Sequence, residues 1–242
     1  MEAIIIKQVL ALRRQMPKLG GRKLYNEIRP VLEEMRFKFG RDRFFDLLRR
    51  ENLLVRRKKK YVKTTNSRHR FRMYYNLIKD LSINRPNQVY VADITYIRTL
   101  SGFCYLSLIT DACSRKIVGY HLSRSLAIEG CLKALKKALS ALPKGVRVIH
   151  HSDRGIQYCC DEYTTLLNTH GVKISMTEEN HIYENALAER VNGILKDEFM
   201  LSETLASYEV ACQMVKEAIY IYNTKRPHQS LGYEKPSVRH VA

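Results

Sequence analysis

Apolar residues first recur at helical spacing, then at strand spacing, and finally alternate between the two. Over residues 2–16, Ile5, Val9 and Leu12 fall at i, i+4 and i+7, and Pro17 and Gly20-Gly21 end the run. A second helical stretch, 22–36, places Leu24, Ile28, Val31, Leu32 and Met35 on one face. Pro30 removes a backbone donor inside it and predicts a kink or a division. After Gly40, a third helix over 41–52 turns Phe44, Leu47 and Leu48 inward. The period then shortens to two, giving strands at 88–98, 103–110 and 117–123 with turns at Ser101-Gly102 and Ser114-Arg115, an antiparallel meander. Both faces of the first strand are largely apolar, which predicts a central strand covered on two sides. Alternation follows: helix 127–142, strand 146–151, helix 161–170, strand 172–176, helix 184–199 and helix 208–222. The whole reads as an α/β sheet domain behind a small all-α unit.

Charge changes the picture of that front unit. The chain of 242 residues carries a formal net charge of +18, and nearly all of the excess lies in the first eighty residues. Such a field selects a polyanion. A membrane is disfavoured, because the apolar start Ala3-Ile4-Ile5-Ile6 is broken by Lys7 and no run approaches a span. Glu2 and the shortness of that start also argue against a secretory signal, so the expected setting is nucleic acid in the cytoplasm. Helix, glycine turn, helix with Arg41, Arg43, Arg49 and Arg50 off the apolar face suits a helix-turn-helix with the third helix in a DNA groove. Periodicity alone fits equally a three-helix bundle with a solvated basic face; the charge excess, together with the resemblance drawn below, tips the balance toward double-stranded DNA. Residues 56–72 contain no acid and begin Arg56-Arg57-Lys58-Lys59-Lys60; they read as a linker lying along phosphates. The six cysteines show no framework spacing, and the pairs His150-His151 and Cys159-Cys160 are adjacent, so their side chains diverge and a zinc site is not expected.

Candidate chemistry concentrates in three acids. Asp93 sits inside the β-branched run 89–97, Asp153 follows the fourth strand, and Glu189 lies on the helix over 184–199, with 35 residues between the last two. That helix carries two stripes: Leu187, Val191, Ile194 and Leu195 on one face, and Asn185, Glu189, Asn192 and Lys196 on another, with Asn185, Asn192 and Lys196 as candidate DNA contacts. Taken singly, each acid has an ordinary explanation: a strand-edge carboxylate, an Asx-turn and a solvent-facing helix residue. Together, on two strands and a helix, they form the minimum set for two hard divalent cations, Mg²⁺ with Mn²⁺ as substitute. Asp111 and Glu184 compete as acids; the first suits a cap on the turn to Ser114, the second a first-turn acid. His150 and His151 suit strand-end packing, and Tyr220, Tyr222, Arg226 and His228 suit either DNA contact or a helix exit.

The phrases Ala-Asp-Ile-Thr-Tyr (92–96), His-His-Ser-Asp-Arg-Gly (150–155), Glu-Asn-Ala-Leu-Ala-Glu-Arg (184–190) and Tyr-Asn-Thr-Lys-Arg-Pro-His (222–228) resemble the second reading frame of insertion-sequence-three bacterial transposases, within the DDE transposase and retroviral-integrase superfamily. The resemblance runs from about residue 60 to 236. It implies a ribonuclease H-like mixed five-stranded sheet flanked by helices, with Asp93, Asp153 and Glu189 as catalytic metal ligands. It also implies cleavage at element ends, joining to a target strand, oligomers assembled on DNA, and fusion by frameshift to an upstream reading-frame product. The expected organisation is a helix-turn-helix unit over 1–55, a basic linker over 56–84, a catalytic core over 85–236 and a tail over 237–242. Two departures stand out: residues 178–183 lack the family's usual Gly before the aromatic, and Tyr90 stands where Trp is frequent. The alternative reading is a DNA-binding regulator or inactive copy that binds ends without cutting them.

Overall fold

The computed structural model describes residues 2–55, 70–178 and 185–241. Three helices come first: α1 (Glu2–Gln15), α2 (Gly21–Glu34) and α3 (Arg41–Arg50). The meander follows as β1 (Val89–Thr99), β2 (Gly102–Asp111) and β3 (Ile117–Ser123), and then α4 (Ile128–Ser140), β4 (Ile149–Ser152), the short α5 (Ile156–Cys159), α6 (Asp161–Thr169) and β5 (Lys173–Met176). The chain closes with α7 (Ala186–Glu198), α8 (Tyr208–Thr224), a 3₁₀ turn at Gln229–Leu231 and α9 (Pro236–Val241). Among the described residues no helix is long and apolar enough to cross a membrane.

The five strands pair in the order β3-β2-β1-β4-β5; β1 is antiparallel to β2 and parallel to β4. β1 is therefore central, as its two apolar faces require. On one face Tyr90, Ala92 and Ile109 pack with α4 and α6 through Leu135, Ala138, Tyr163 and Leu167. Gly119 allows α4 to lie against β3, since a Cβ there would come within 2.3 Å of the Ala134 carbonyl oxygen. On the other face Ile97, Leu106 and Leu108 pack with Val191, Leu195, Ala218 and Tyr222 of α7 and α8.

The front helices are not a detached unit. Ile5, Val9, Leu24, Ile28, Leu32, Phe44, Leu47 and Leu48 are buried in the same continuous apolar cluster as the α7 and α8 residues. Polar contacts reinforce the docking: Lys18 N donates to the Glu198 carbonyl (3.1 Å), Lys225 Nζ to Gln15 (2.9 Å) and Lys235 Nζ to Glu27 (3.2 Å). The kink expected at Pro30 does not divide α2, which runs through it. Pro30 lies on the exposed side, where water can reach the carbonyl it leaves unpaired. The final residues, expected as a tail, form α9, whose His240 Nδ1 lies 3.0 Å from Ser114 Oγ.

Candidate active site

Strand register brings the first two acids together. β1 and β4 run parallel with Val89 opposite Ile149, Tyr90 opposite His150 and Val91 opposite His151. Continuing that register past the end of β4 sets Asp153 level with Asp93, beyond the carboxyl end of the strand, where open α/β sheets hold ligands. Neighbouring strands lie about 4.8 Å apart, and the charge of Asp153 acts on Asp93. Asp153 Oδ1 accepts from Gly155 N at 3.0 Å, an Asx-type turn that leads the chain into α5.

Helix α7 supplies the rest. Its apolar stripe, Val191, Ile194 and Leu195, is buried, and Asn185 and Asn192 of its polar stripe turn toward β1. Asn185 Nδ2 donates to the Ala92 carbonyl (3.1 Å), and Asn192 Nδ2 donates to Asp93 Oδ2 (2.6 Å). Among the described residues the Oδ1 atoms of both asparagines are buried without a donor, and both side chains are turned into the fold instead of out toward DNA. Asp93 Oδ1 accepts from Ile94 N at 2.9 Å. Glu189, one turn before Asn192, is exposed.

Burial, followed by the negative charge of Asp153, raises Asp93 to a pKa of about 7; Glu189 adds to the rise, while the bonds from Asn192 and Ile94 oppose it. Lys196, two turns beyond Glu189, is half-buried, with Nζ 4.1 Å from the centroid of the Tyr96 ring. Burial lowers its pKa, against the attraction of Asp93. It is thus no freely solvated lysine.

The donor set fits a hard divalent cation in kind. Three carboxylates lie near enough for two of them to raise the pKa of the third, and a cation would relieve that repulsion. Among the described residues, however, no three His, Cys, Asp or Glu side chains form a ready-made cage.

An integrase core domain family matches residues 83–181, and a second integrase core domain family matches 170–236. The insertion element IS600 uncharacterized 31 kDa protein of Shigella sonnei is 36% identical over 90% of this chain and 79% of its own length. Transposase InsF for insertion sequence IS3A of Escherichia coli (strain K12) is 32% identical over 78% of this chain and 66% of its own. The chain belongs to the insertion-sequence-three (IS3) family of bacterial transposases. Two solved structures share its fold. The HTLV-2 integrase catalytic core domain in complex with magnesium aligns at a TM-score of 0.51 and 18% identity, covering 64% of this chain and 97% of that one. The simian T-cell lymphotropic virus intasome aligns at 0.56 and 15%, covering 92% and 75%.

Other residues singled out in this transposase family member fall into place differently. Asp111 is fully buried, accepting from Ser114 N (2.6 Å), Ser114 Oγ (2.7 Å) and Asn87 N (2.6 Å), so it caps a turn. His150 bonds the Tyr163 hydroxyl (2.9 Å) and His151 the Ser175 hydroxyl (2.9 Å), both within the core. Tyr222 and Arg226 are buried, which removes them as DNA contacts; Tyr220 is exposed. The phrase 222–228 is instead a structural clasp. The Tyr222 hydroxyl donates to the Arg115 carbonyl (3.0 Å), Asn223 bonds both N and O of Ile117, and Arg226 grips Glu198.

At the front, Arg41, Arg43, Arg49 and Arg50 are all exposed. Each has an acidic neighbour: Asp42 for Arg41, Asp46 for Arg49, and Glu2 for both Arg43 and Arg50. Sequence periodicity missed a cleft of about 300 Å³ lined by Arg22, Tyr25, Asn26, Arg29, Arg41 and Tyr233. Arg22, Tyr25, Asn26 and Arg29 share one face of α2 at i, i+3, i+4 and i+7, a polar repeat the apolar search passed over. Arg56, Arg57, Lys58, Lys59 and Lys60, the loop over 179–184 and Glu184 lie outside the described residues.

Proposed function

We propose that this chain catalyses metal-dependent DNA strand cleavage at the ends of its insertion element and joins the 3′-ends to a target strand. What supports this reading is the register that brings Asp153 level with Asp93, in a setting where burial, then Asp153, and lastly Glu189 raise the Asp93 pKa. Asp93, Asp153 and Glu189 would hold two divalent ions, Mg²⁺ or Mn²⁺. When bound, such a pair neutralises developing charge and lowers the pKa of the attacking hydroxyl, so no covalent protein nucleophile is needed. Asn192 fixes the Asp93 carboxylate, and Asn185 ties the start of α7, the helix that carries Glu189, to β1 through the Ala92 carbonyl. Lys196 would hold a phosphate of the entering end beside Asp93. The reaction belongs at the nucleoid, with copies assembled on paired ends and, where the upstream frame is translated in fusion, with that product attached. An oligonucleotide carrying the element end, incubated with Mg²⁺, tests this: end-specific joining supports it, and binding without cutting under both Mg²⁺ and Mn²⁺ would make the chain a regulator.

Lys196→Ala should leave folding and Mg²⁺ affinity near wild type and weaken end joining roughly tenfold or more, in line with loss of one charge-assisted phosphate contact. Lys137 lies on α4 with Nζ on the Tyr120 carbonyl (3.1 Å), and Lys137→Ala should leave joining unchanged. Equal joining by wild type and both variants would reduce Lys196 to a packing residue on Tyr96.

Duplex affinity is assigned to the basic front. Because the front helices share a core with α7 and α8, point changes are a cleaner test than truncation. Replacing Arg22, Arg29 and Arg41 by Gln together should flatten the salt dependence by about 0.9 in slope for each phosphate no longer neutralised. An unchanged slope would place the duplex-binding surface elsewhere.

A further inference from the structure

Beyond the acid cluster, β1 emerges from the sheet with one edge uncovered. β4 ends at Ser152, and among the described residues no strand pairs with β1 on that side between Ala92, whose carbonyl accepts from Asn185, and Thr99, which bridges Leu205. Beside this stretch lie two adjoining rings with a cation at either end. Lys196 Nζ sits over Tyr96; Tyr96 meets Phe103 edge to face, with centroids 5.2 Å apart at 84°; and the Arg98 guanidinium lies 5.1 Å from the Phe103 centroid. Arg98 and Phe103 are opposite one another in the β1–β2 register. Phe103 is 45% exposed and Leu100, in the turn, 78% exposed. A large ring left in water, with Arg98 on its face and Tyr96 at its edge, is poorly explained by the stability of the hairpin.

We propose that Lys196, Tyr96, Phe103 and Arg98 form a binding site for unpaired DNA, the strand running away from the acid cluster. The chemistry selects the occupant. Bases have flat π faces that stack on exposed aromatic rings, and their phosphates pair with flanking Lys and Arg. Duplex bases are already stacked and offer no free face, so exposed rings favour a frayed or single-stranded segment. Lys196 is the joint, since it touches Tyr96 and feels the charge of Asp93. The strand on the rings is therefore continuous with one whose phosphate reaches the acids. The direction of that strand rests on the proposed function; the binding itself does not.

The test uses the full chain with EDTA present, so that no cleavage intervenes. The probe is a single-stranded ten-nucleotide oligomer carrying 2-aminopurine, followed by fluorescence and anisotropy. Phe103→Leu keeps an apolar group of similar reach but removes the ring; it should weaken single-strand binding roughly tenfold and abolish 2-aminopurine quenching. Phe103→Tyr should restore both, Arg98→Gln should weaken binding without abolishing quenching, and affinity for the matching duplex should stay within about twofold. Phe103→Leu binding the oligomer as wild type does would overturn the proposal. So would an equal loss for duplex and single strand, or a change in oligomeric mass on ultracentrifugation without change in DNA binding, which would mark the face as a contact between copies. A wild type that stacks the oligomer but never cuts DNA defeats only the catalytic reading.

Discussion

Asp93→Asn is expected to abolish strand cleavage while raising the melting temperature of the metal-free protein above pH 7. Loss of one of three cation-holding carboxylates removes several kcal/mol of transition-state stabilisation, a rate loss of roughly 10³-fold or more, with gel-shift affinity near wild type. The stability gain has a separate cause. Asp93 has a pKa of about 7 in the folded chain against an ordinary 3.8, chiefly through burial and Asp153. Between those values the folded protein holds a proton that the unfolded chain has released, so the stability contributed by Asp93 is present below about pH 4 and is lost as pH rises through 7. Asn cannot ionise and escapes that loss. Its amide could also donate to Asn192 Oδ1, which now has no donor, if the Asn192 amide turns over. Asp93 is only half-buried, so a gain of about 1–3 kcal/mol, or a few degrees, is the expected scale. The variant's advantage should grow from pH 4 to 7 and then level off. Adding Mg²⁺ should raise the melting temperature of the wild type and not that of the variant. Identical melting of the two proteins at pH 8 would show that neither burial nor Asp153 raises Asp93 in the folded chain, and substantial cleavage by Asp93→Asn, Asp153→Asn or Glu189→Gln would remove that residue from the triad.

The elements of the sheet were legible because their signals are local. β1 advertised its central position through two apolar faces, and the polar stripe of α7 could be read from one helix alone. That Asp153 stands level with Asp93 was not legible, since parallel register is set by packing across a long crossover. The fate of Asp111 depended on whether Asn87 and Ser114 would reach it, a matter of turn geometry. The phrase 222–228 was conspicuous as sequence but misleading as chemistry. Arg226 is as basic as any DNA-contacting residue, and only the fold reveals that its partner is Glu198, 28 positions earlier. The arginines of α2 escaped notice for a related reason: they make a surface cleft only when Arg41 and Tyr233 arrive from elsewhere in the chain.

Glu198→Ala should be among the most damaging single changes outside the acid cluster. Glu198 closes α7, nine residues after Glu189 and about 13 Å along the helix axis at 1.5 Å per residue. Arg226, 1% exposed, holds both its oxygens, with Nε–Oε2 at 2.8 Å and Nη2–Oε1 at 2.9 Å. Lys23 of α2 adds Nζ to Oε1 at 2.5 Å. One carboxylate thus joins the front helices, the helix of Glu189 and the clasp after α8. Burial pushes the Glu198 carboxyl up, but Arg226 and Lys23 outweigh it and hold it below the usual carboxylate range. Burial, with Arg226 nearby, lowers Lys23 to about 8 even against that attraction, which indicates two cations sharing one acid. Removing the acid leaves both cations buried and facing each other. Breaking such a pair costs about 3–5 kcal/mol, or roughly 6–20 °C in melting temperature for a chain of this size. Arg226→Met, which leaves Glu198 with Lys23 alone, should cost less. Combining Glu198→Leu with Arg226→Met should recover part of the loss, because the cost lies in the unpaired charge more than in the missing bond. Thermal melts of the single and double variants decide the matter. A Glu198→Ala protein melting within about 2 °C of wild type, below the shift from 1 kcal/mol, would mean that the apolar cluster alone holds the front helices against α7.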